Sequence, residues 1–394
     1  SRAPLIARRG TLVVAGLTVR NGDGGSAGGA IRVMTGAHLV AVGVVLDGNE
    51  AFTGGGGLYV APGADARVVR SAITGNAATG AFGGGVWNQG TLDLEDSLVA
   101  GNRSNRAGGI RNEGELRLRN VTVDGNEATS PEAGVGGISQ NGFAFLSNVT
   151  VTRNLGRGAN PASFRGGGIQ TTAGELTVLK NSVVAQNDGR GGPDDCDGPI
   201  TSDSRYDLVQ APGAACILPA STATWLIGVD PQLGALAQNG GPTATRLPAP
   251  TSPLVDAGFP FTPGGPAADA CEAADQRGVQ RLRCDIGAVE REVPVPATIT
   301  VDRTTDVADA VPGNGACLAV GGGCSLRAAV QARQSVAAGA RLDGKHRRLD
   351  TRAQVELGQD VPHVQLHRIV ADVQRARDGL VALAARQVVE DLAL

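Results

Sequence analysis

Aromatic side chains are scarce in this chain: Phe, Trp and Tyr make up 3% of its 394 residues, with two Trp, two Tyr and a single Met. Few large groups are therefore on hand to fill a broad globular core. Histidine is rarer still in relation to length, at four residues, which leaves little material for imidazole chemistry or nitrogen-ligated metals. No apolar run is long enough to span a bilayer. The formal net charge of −3 gives no general attraction to nucleic acid or anionic lipid. No GxSxG, P-loop or dinucleotide-binding signature occurs, and no G-X-Y period, so a collagen-like assembly is excluded.

Six cysteines are present: Cys196, Cys216, Cys271, Cys284, Cys317 and Cys324. None stands in a CxxC pair, and no histidine lies near the first four, so zinc and other metals are not expected. The even count points to disulfides in an oxidising compartment. Of the several possible pairings, the sequential one is favoured: 196–216, 271–284 and 317–324.

Glycine is what the chain has in excess, at 59 residues, and it recurs with a rhythm. "GTLDLEDSLVAGNRSNRAGGI" is followed by "GELRLRNVTVDGNEATSPEAGVGGI". An asparagine closes a short apolar run at Asn49, Asn76, Asn102, Asn126, Asn154 and Asn187, at intervals of 24–33 residues. In the first copy, "GTLVVAGLTVRN", the asparagine is Asn21, displaced by one position. Glycines followed by an aliphatic recur at Leu58, Val86, Ile110, Ile138 and Ile169, and Ile31 begins that series with Ala30 interposed.

Each copy holds three short segments of period-two alternation, such as "GGIRN", "GELRLRN" and "VTVDGN". Alternation of this kind marks strands with one buried face. A three-strand unit cannot bury that face alone, but stacked copies can. The parallel crossovers that stacking requires are right-handed. The expected fold is therefore all-β: a right-handed parallel β-helix, a solenoid of the pectate-lyase-like type with three strands per coil. Seven coils at the strand spacing make a rod roughly 34 Å long.

Stacking turns sequence columns into spatial ones. Leu46, Ile73, Val99, Val123, Val151 and Val184 are expected to form an inward aliphatic column. The six asparagines are expected to form a structural ladder, bonded from coil to coil. The sequons at Asn102, Asn120 and Asn148 read as by-products of strand composition. In the outward columns Asp93 falls opposite Arg117 and Glu95 opposite Arg119, with Arg67 beside Asp93 and Arg70 beside Asp96. Charges that alternate in this way stabilise the sheet and account for three clustered acids without catalysis. A further outward column runs Arg32, Tyr59, Trp87, Arg111, Ser139, Gln170. It is expected to be an exposed strip where aromatic faces stack on sugar rings and arginines bind carboxylates, which would suit an acidic polysaccharide.

Past residue 187 the rhythm fails, so the repeats are assigned to 1–187. Residues 188–290 are rich in Pro, Gly, Asp and Ser and read as an irregular, disulfide-linked cap over an open strand edge, with Asp256, Arg277, Asp285 and Glu290 as candidates for a buried ion network. In this region "DPQLGALAQNGGPTATRLPAPTSPLVDAG", "DQRG" and "CDIGAVE" resemble the C-terminal module of bacterial choice-of-anchor Q proteins. Residues 291–333 follow, where "ITVDRTTDVADAVPGNGACLAVGGGCSLRAAV" is similar to the CSLREA domain, with Ala328 in place of that motif's glutamate. The resemblance implies a secreted or surface-displayed bacterial β-helix and carries over no catalytic residue. In 334–394 the glycines and corner asparagines vanish. Apolar spacings of three and four read as helix, either as an appended helical or disordered tail or, the favoured reading, as sequence out of frame from about Gln331. His363 and His367 there lack the glutamate of a metalloprotease motif.

The functional expectation is a non-enzymatic rod, extracellular or on the cell surface, acting as stalk, adhesin-like or matrix protein, with an acidic polysaccharide or the envelope surface as partner. It has no cofactor, no catalytic residues, no nucleic-acid partner and no membrane span. The alternative is a polysaccharide-binding rod or a carbohydrate-active enzyme, a polysaccharide lyase or glycoside hydrolase, using the Tyr59–Trp87 strip.

Overall fold

The computed structural model describes residues 4–80, 82–131, 134–157, 166–189 and 191–291, together with 299–301, 324 and 355–357. The chain divides into two compact units, Ser1–Glu292 and Val293–Leu394. In the second, the strand Ile299–Val301 pairs in parallel with Val355–Leu357, so the expected helix is replaced by strand over those three residues. The remainder of that tail, with Cys317, His363 and His367, lies outside the described residues.

The first unit is a parallel β-helix, and no helix occurs among the described residues. Each coil begins with a three-residue strand. The first seven are Leu5–Ala7, Ile31–Val33, Leu58–Val60, Val86–Asn88, Ile110–Asn112, Ile138–Gln140 and Ile169–Thr171. These stack in register as the first sheet. A second sheet stacks the longer strands, from Gly10–Ala15 to Leu176–Lys180, and a third stacks three-residue strands from Thr18–Arg20 to Val183–Ala185. Alternation in the residues marks three strands per coil; the structure adds a fourth, narrow sheet of two-residue strands such as Arg103–Ser104 and Glu127–Ala128. Two residues are too few to show any period, so that sheet left no trace in the pattern.

The predicted inward column holds. Leu46, Ile73, Val99, Val123, Val151 and Val184 are Cα partners on successive coils and all are buried. Alternation supplies the rest of the core: Leu92 and Leu94 face inward above Leu116 and Leu118. The glycines before each aliphatic are forced by this packing. A Cβ on Gly109 would stand 2.6 Å from the Gly137 carbonyl oxygen, closer than real Cβ atoms approach, and 3.1 Å from the amide of Asn126.

Stacking does not stop at residue 187. Cys196–Pro199 and Pro212–Ile217 extend the first sheet, and Leu208–Val209 and Leu226–Ile227 extend the third. A Cys196–Cys216 disulfide joins these two final turns, and Trp225 plugs the end of the core. The end is thus closed by residues 196–228. Residues 229–291, expected to belong to that cap, turn back instead and lie along the side of the rod. We call them the strap; it contains the hairpin Leu233–Ala237/Thr245–Pro248 and the Cys271–Cys284 disulfide. Cys324 is disulfide-bonded.

Candidate functional site

Three features gather the side chains capable of chemistry: an internal amide ladder, the outward aromatic–arginine column, and the seam between rod and strap.

The ladder is built as the asparagine spacing predicts. On each coil the Oδ1 atom accepts two bonds from the asparagine of the coil before it, one from the backbone N–H and one from the side-chain amide. For Asn126 these come from Asn102 at 3.0 and 2.9 Å. The second amide hydrogen returns to a backbone carbonyl, Val99 in this case. The pattern repeats from Asn49 through Asn76, Asn102, Asn126 and Asn154 to Asn187. All six are buried. Asn21 is not a member: it occupies the left-handed corner with φ 53°, and Gly22 takes the ladder position, donating to Asn49.

At the far end stands Asp195, whose Oδ1 accepts from Asn187 and whose Oδ2 accepts from Ala211 N at 2.6 Å. Burial raises its pKa to about 6. A second internal column ends the same way: Ser182 N donates to Asp207, and burial holds that carboxyl well above the usual range. A further ladder, Asn88–Asn112–Gln140, is also buried and bonded from coil to coil. Sequence reasoning passed over it, although "VWN", "IRN" and "ISQ" repeat an amide two residues after each aliphatic.

The structure brings the aromatic–arginine column together in the predicted order. Arg32, Tyr59, Trp87, Arg111, Ser139 and Gln170 are successive Cα partners. It is not, however, an exposed strip. Arg32, Tyr59, Trp87 and Arg111 are half-buried, and Ser139 and Gln170 are buried. Loops beside the sheet fold against them: Phe82 packs on Trp87 at 5.5 Å, and the Arg111 guanidinium lies over the Phe82 ring. Tyr59 and Trp87 contact each other at 4.9 Å.

Their polar atoms turn inward to one another. Glu113 accepts from Trp87 Nε1, Gln89 Nε2 and Arg111 Nε, while Gln89 accepts from the Tyr59 hydroxyl. Burial pushes the Glu113 carboxyl up, but those hydrogen bonds and the charge of Arg111 outweigh it and hold the pKa below its ordinary value. Burial raises that of Tyr59. Arg32 spends its Nε and Nη2 on the carbonyls of Ala27 and Gly24. A carboxylate at the centre of the column disfavours an acidic polymer there.

The charged columns of the second sheet have the expected register, but two of the ion pairs run diagonally: Arg67 reaches Glu95 at 3.1 Å and Arg119 reaches Asp93 at 3.6 Å. These side chains are long enough to reach a diagonal neighbour. Arg70 lies beside Asp96 as expected, at 3.9 Å.

The seam with the strap was not foreseen. The corner between second and third sheets places one residue per coil in the left-handed region. Asn120, Asn148 and Asn181 fill it on the fifth to seventh coils, with φ 51°, 51° and 50°, a conformation asparagine tolerates. Their amides hold the strap. Asn120 donates to Ala274 O, Asn148 accepts from Glu272 N, and Asn181 accepts from Phe259 N. Two of the sequons are therefore docking positions and the third, Asn102, is a ladder member.

Arg246 of the strap forms a two-pronged pair with Asp124, both buried. Lys180 pairs with Asp269. The predicted ion network lies within the strap: Arg277 with Asp275, Arg281 with Glu290, and Arg283 with Asp256. Asp285 accepts from the backbone N–H of Asp256 at 2.7 Å.

Two cavities open on the surface. One of about 270 Å³ is lined by Asp194, Cys196, Asp197, Ala214 and Ala215. The other, of about 370 Å³, is lined by residues that include Thr129, Leu155 and Arg157. Among the described residues no group of three or more His, Cys, Asp or Glu is placed to hold a metal ion, and no helix is long and apolar enough to cross a membrane. No family model matches the chain, and neither a curated protein nor a solved structure matches it.

Proposed function

We propose that the chain is a non-enzymatic β-helical rod of a secreted or surface-displayed protein, serving as stalk, adhesin-like spacer or matrix element. One observation carries this reading: the carboxylates whose pKa burial raises furthest are used by the fold itself. Asp195 and Asp207 end internal columns, Asp285 lies inside the strap, and Asp96 accepts from Asn120 and faces Arg70. The disulfides Cys196–Cys216 and Cys271–Cys284, with Cys324 also disulfide-bonded, support an oxidising compartment. The resemblance of the strap to the choice-of-anchor Q module, and of the segment after it to CSLREA, supports surface display in a bacterium.

The alternative is a polysaccharide-binding rod or a carbohydrate-active enzyme. It rests on Tyr59 and Trp87, which adjoin on neighbouring coils. Glycan-array binding by the wild type and Trp87→Ala, run beside a uronic-acid release assay, separates the readings. The rod predicts no turnover and no binding that depends on Trp87. Binding lost in the variant without product release favours the binder, and product release favours the enzyme.

A further inference from the structure

The strap is fastened by apolar and polar groups together. Leu254 and Ile286, with Val229, Leu233 and Ala257 beside them, pack against Val183, Ala185 and Leu208, and Phe259 meets Tyr206 edge-on at 5.5 Å. The rest is hydrogen bonds and buried charge, so its grip depends on the protonation of whatever is buried there.

Six acids and four arginines crowd the strap between 256 and 291; Asp269 pairs with Lys180 of the rod and Glu272 accepts from Ser147 Oγ, which leaves four acids for the four arginines. Three of these acids have a guanidinium: Asp275, Glu290 and Asp256 pair with Arg277, Arg281 and Arg283. The fourth acid is Asp285, and the fourth arginine, Arg291, sends its Nη1 to the Pro248 carbonyl. Asp285 is completely buried. Its carboxylate accepts from the backbone N–H groups of Asp256 and Arg291.

Charges of both signs act on it: Glu290 opposes its ionisation and Arg281 favours it. Glu290 adjoins it, accepting from Asp285 N at 3.2 Å. Arg281 bonds the Asp285 backbone carbonyl but gives its ion pair to Glu290. From the rod, the facing group is the neutral amide of Asn148, which donates to the Asp285 carbonyl at 3.3 Å. A buried carboxylate with a like charge beside it and no cation of its own favours the protonated form.

We propose that the strap is a proton-dependent latch: it grips the fifth to seventh coils while Asp285 carries a proton and loosens when that proton leaves. Burial, with Glu290 adding to it, raises the Asp285 pKa to about 8, which sets the pH range of release. Opening uncovers the outer side of the third sheet at Thr122, Asp124 and Thr150, which the strap now bonds through Gln276, Arg246 and Ala288. The Cys271–Cys284 disulfide lies wholly inside the strap, so it does not prevent release.

The test is amide hydrogen exchange on the full chain from about pH 5 to about pH 9, corrected for intrinsic rates. Strap residues 254–291 are compared with coils two and three as internal reference. One linked proton makes strap opening rise by up to about tenfold per pH unit until Asp285 is ionised. Asp285→Asn lowers that slope by about one proton. Glu290→Gln removes the like charge and moves the transition to lower pH, and it serves as the independent variant if Asp285→Asn fails to dock. Strap opening that is flat in pH, or a slope and midpoint untouched by Glu290→Gln, overturns the latch.

Discussion

Asp195 Oδ1 accepts both the backbone N–H and the side-chain amide of Asn187, at 3.0 and 2.8 Å, so a carboxylate occupies the last rung of an otherwise all-amide ladder. It receives as an asparagine would, but when ionised it has nothing to donate onward.

The first prediction concerns pH. Burial raises Asp195 and Asp96 to about 6 and, with Glu290 beside it, Asp285 to about 8, while an unfolded aspartate sits near ~3.9. Between those values the native state binds more protons than the unfolded one, so stability falls as pH rises. For Asp195 and Asp96 the loss is complete just above pH 6; for Asp285 it continues to about pH 8. Calorimetry should find a higher Tm near pH 5 than near pH 8. A Tm that rises with pH over that range contradicts these assignments.

Asn126→Ala removes an acceptor for two Asn102 donors and a donor for the Val99 carbonyl, all buried. At about 1–3 kcal/mol for each orphaned group, the loss should be about 3 kcal/mol or more by urea denaturation. A cost below about 1 kcal/mol would mean that the ladder is decorative.

Val123→Asp places an unpaired charge in the middle of the inward column, where Val123 is fully buried. The cost of burying such a charge exceeds what a domain can spare. Circular dichroism should show loss of the cooperative melt. A normal melt would remove the basis for the column.

The Arg246–Asp124 pair is open to a double-mutant cycle. Truncating either partner to Ala leaves a buried charge alone and should cost about 3–5 kcal/mol of strap docking, whereas replacing both with apolar residues should cost far less. Limited proteolysis of the strap reads the difference. A double-variant cost equal to the sum of the two single costs would show that the pair is not coupled.

The three sequons should stay bare. Asn102, Asn120 and Asn148 are buried, and each spends its amide on the fold. Expressed through a glycosylating host, the folded protein should show no change in mass on glycosidase treatment.

How much of this could be read from the residues follows from how each feature repeats. The inward column and the Asn ladder recur once per coil among otherwise changing neighbours, so spacing alone exposes them. The Tyr59–Trp87 column was legible as an order but not as an exposure, because the loops around Phe82 that cover it have no period. The narrow sheet, as at Glu127–Ala128, is too short to alternate. The strap's landing places did have a signal, an asparagine after the second strand in "RNV", "SNV" and "KNS". Its meaning lies in contacts across a hundred or more residues, such as Asn120 with Ala274, and no local pattern reveals those.

The ladder also has a direction. Every side-chain oxygen faces the preceding coil, and each side-chain amide gives one hydrogen to the oxygen of the following one, so the chain of bonds runs one way along the axis and ends on the carboxylate of Asp195. A duplicated coil spliced between Asn49 and Asn187 would find both a giver above and a taker below. One grafted on after Asp195 would meet a group that hands nothing on. Such a molecule is open to lengthening from within and shut to growth at that tip.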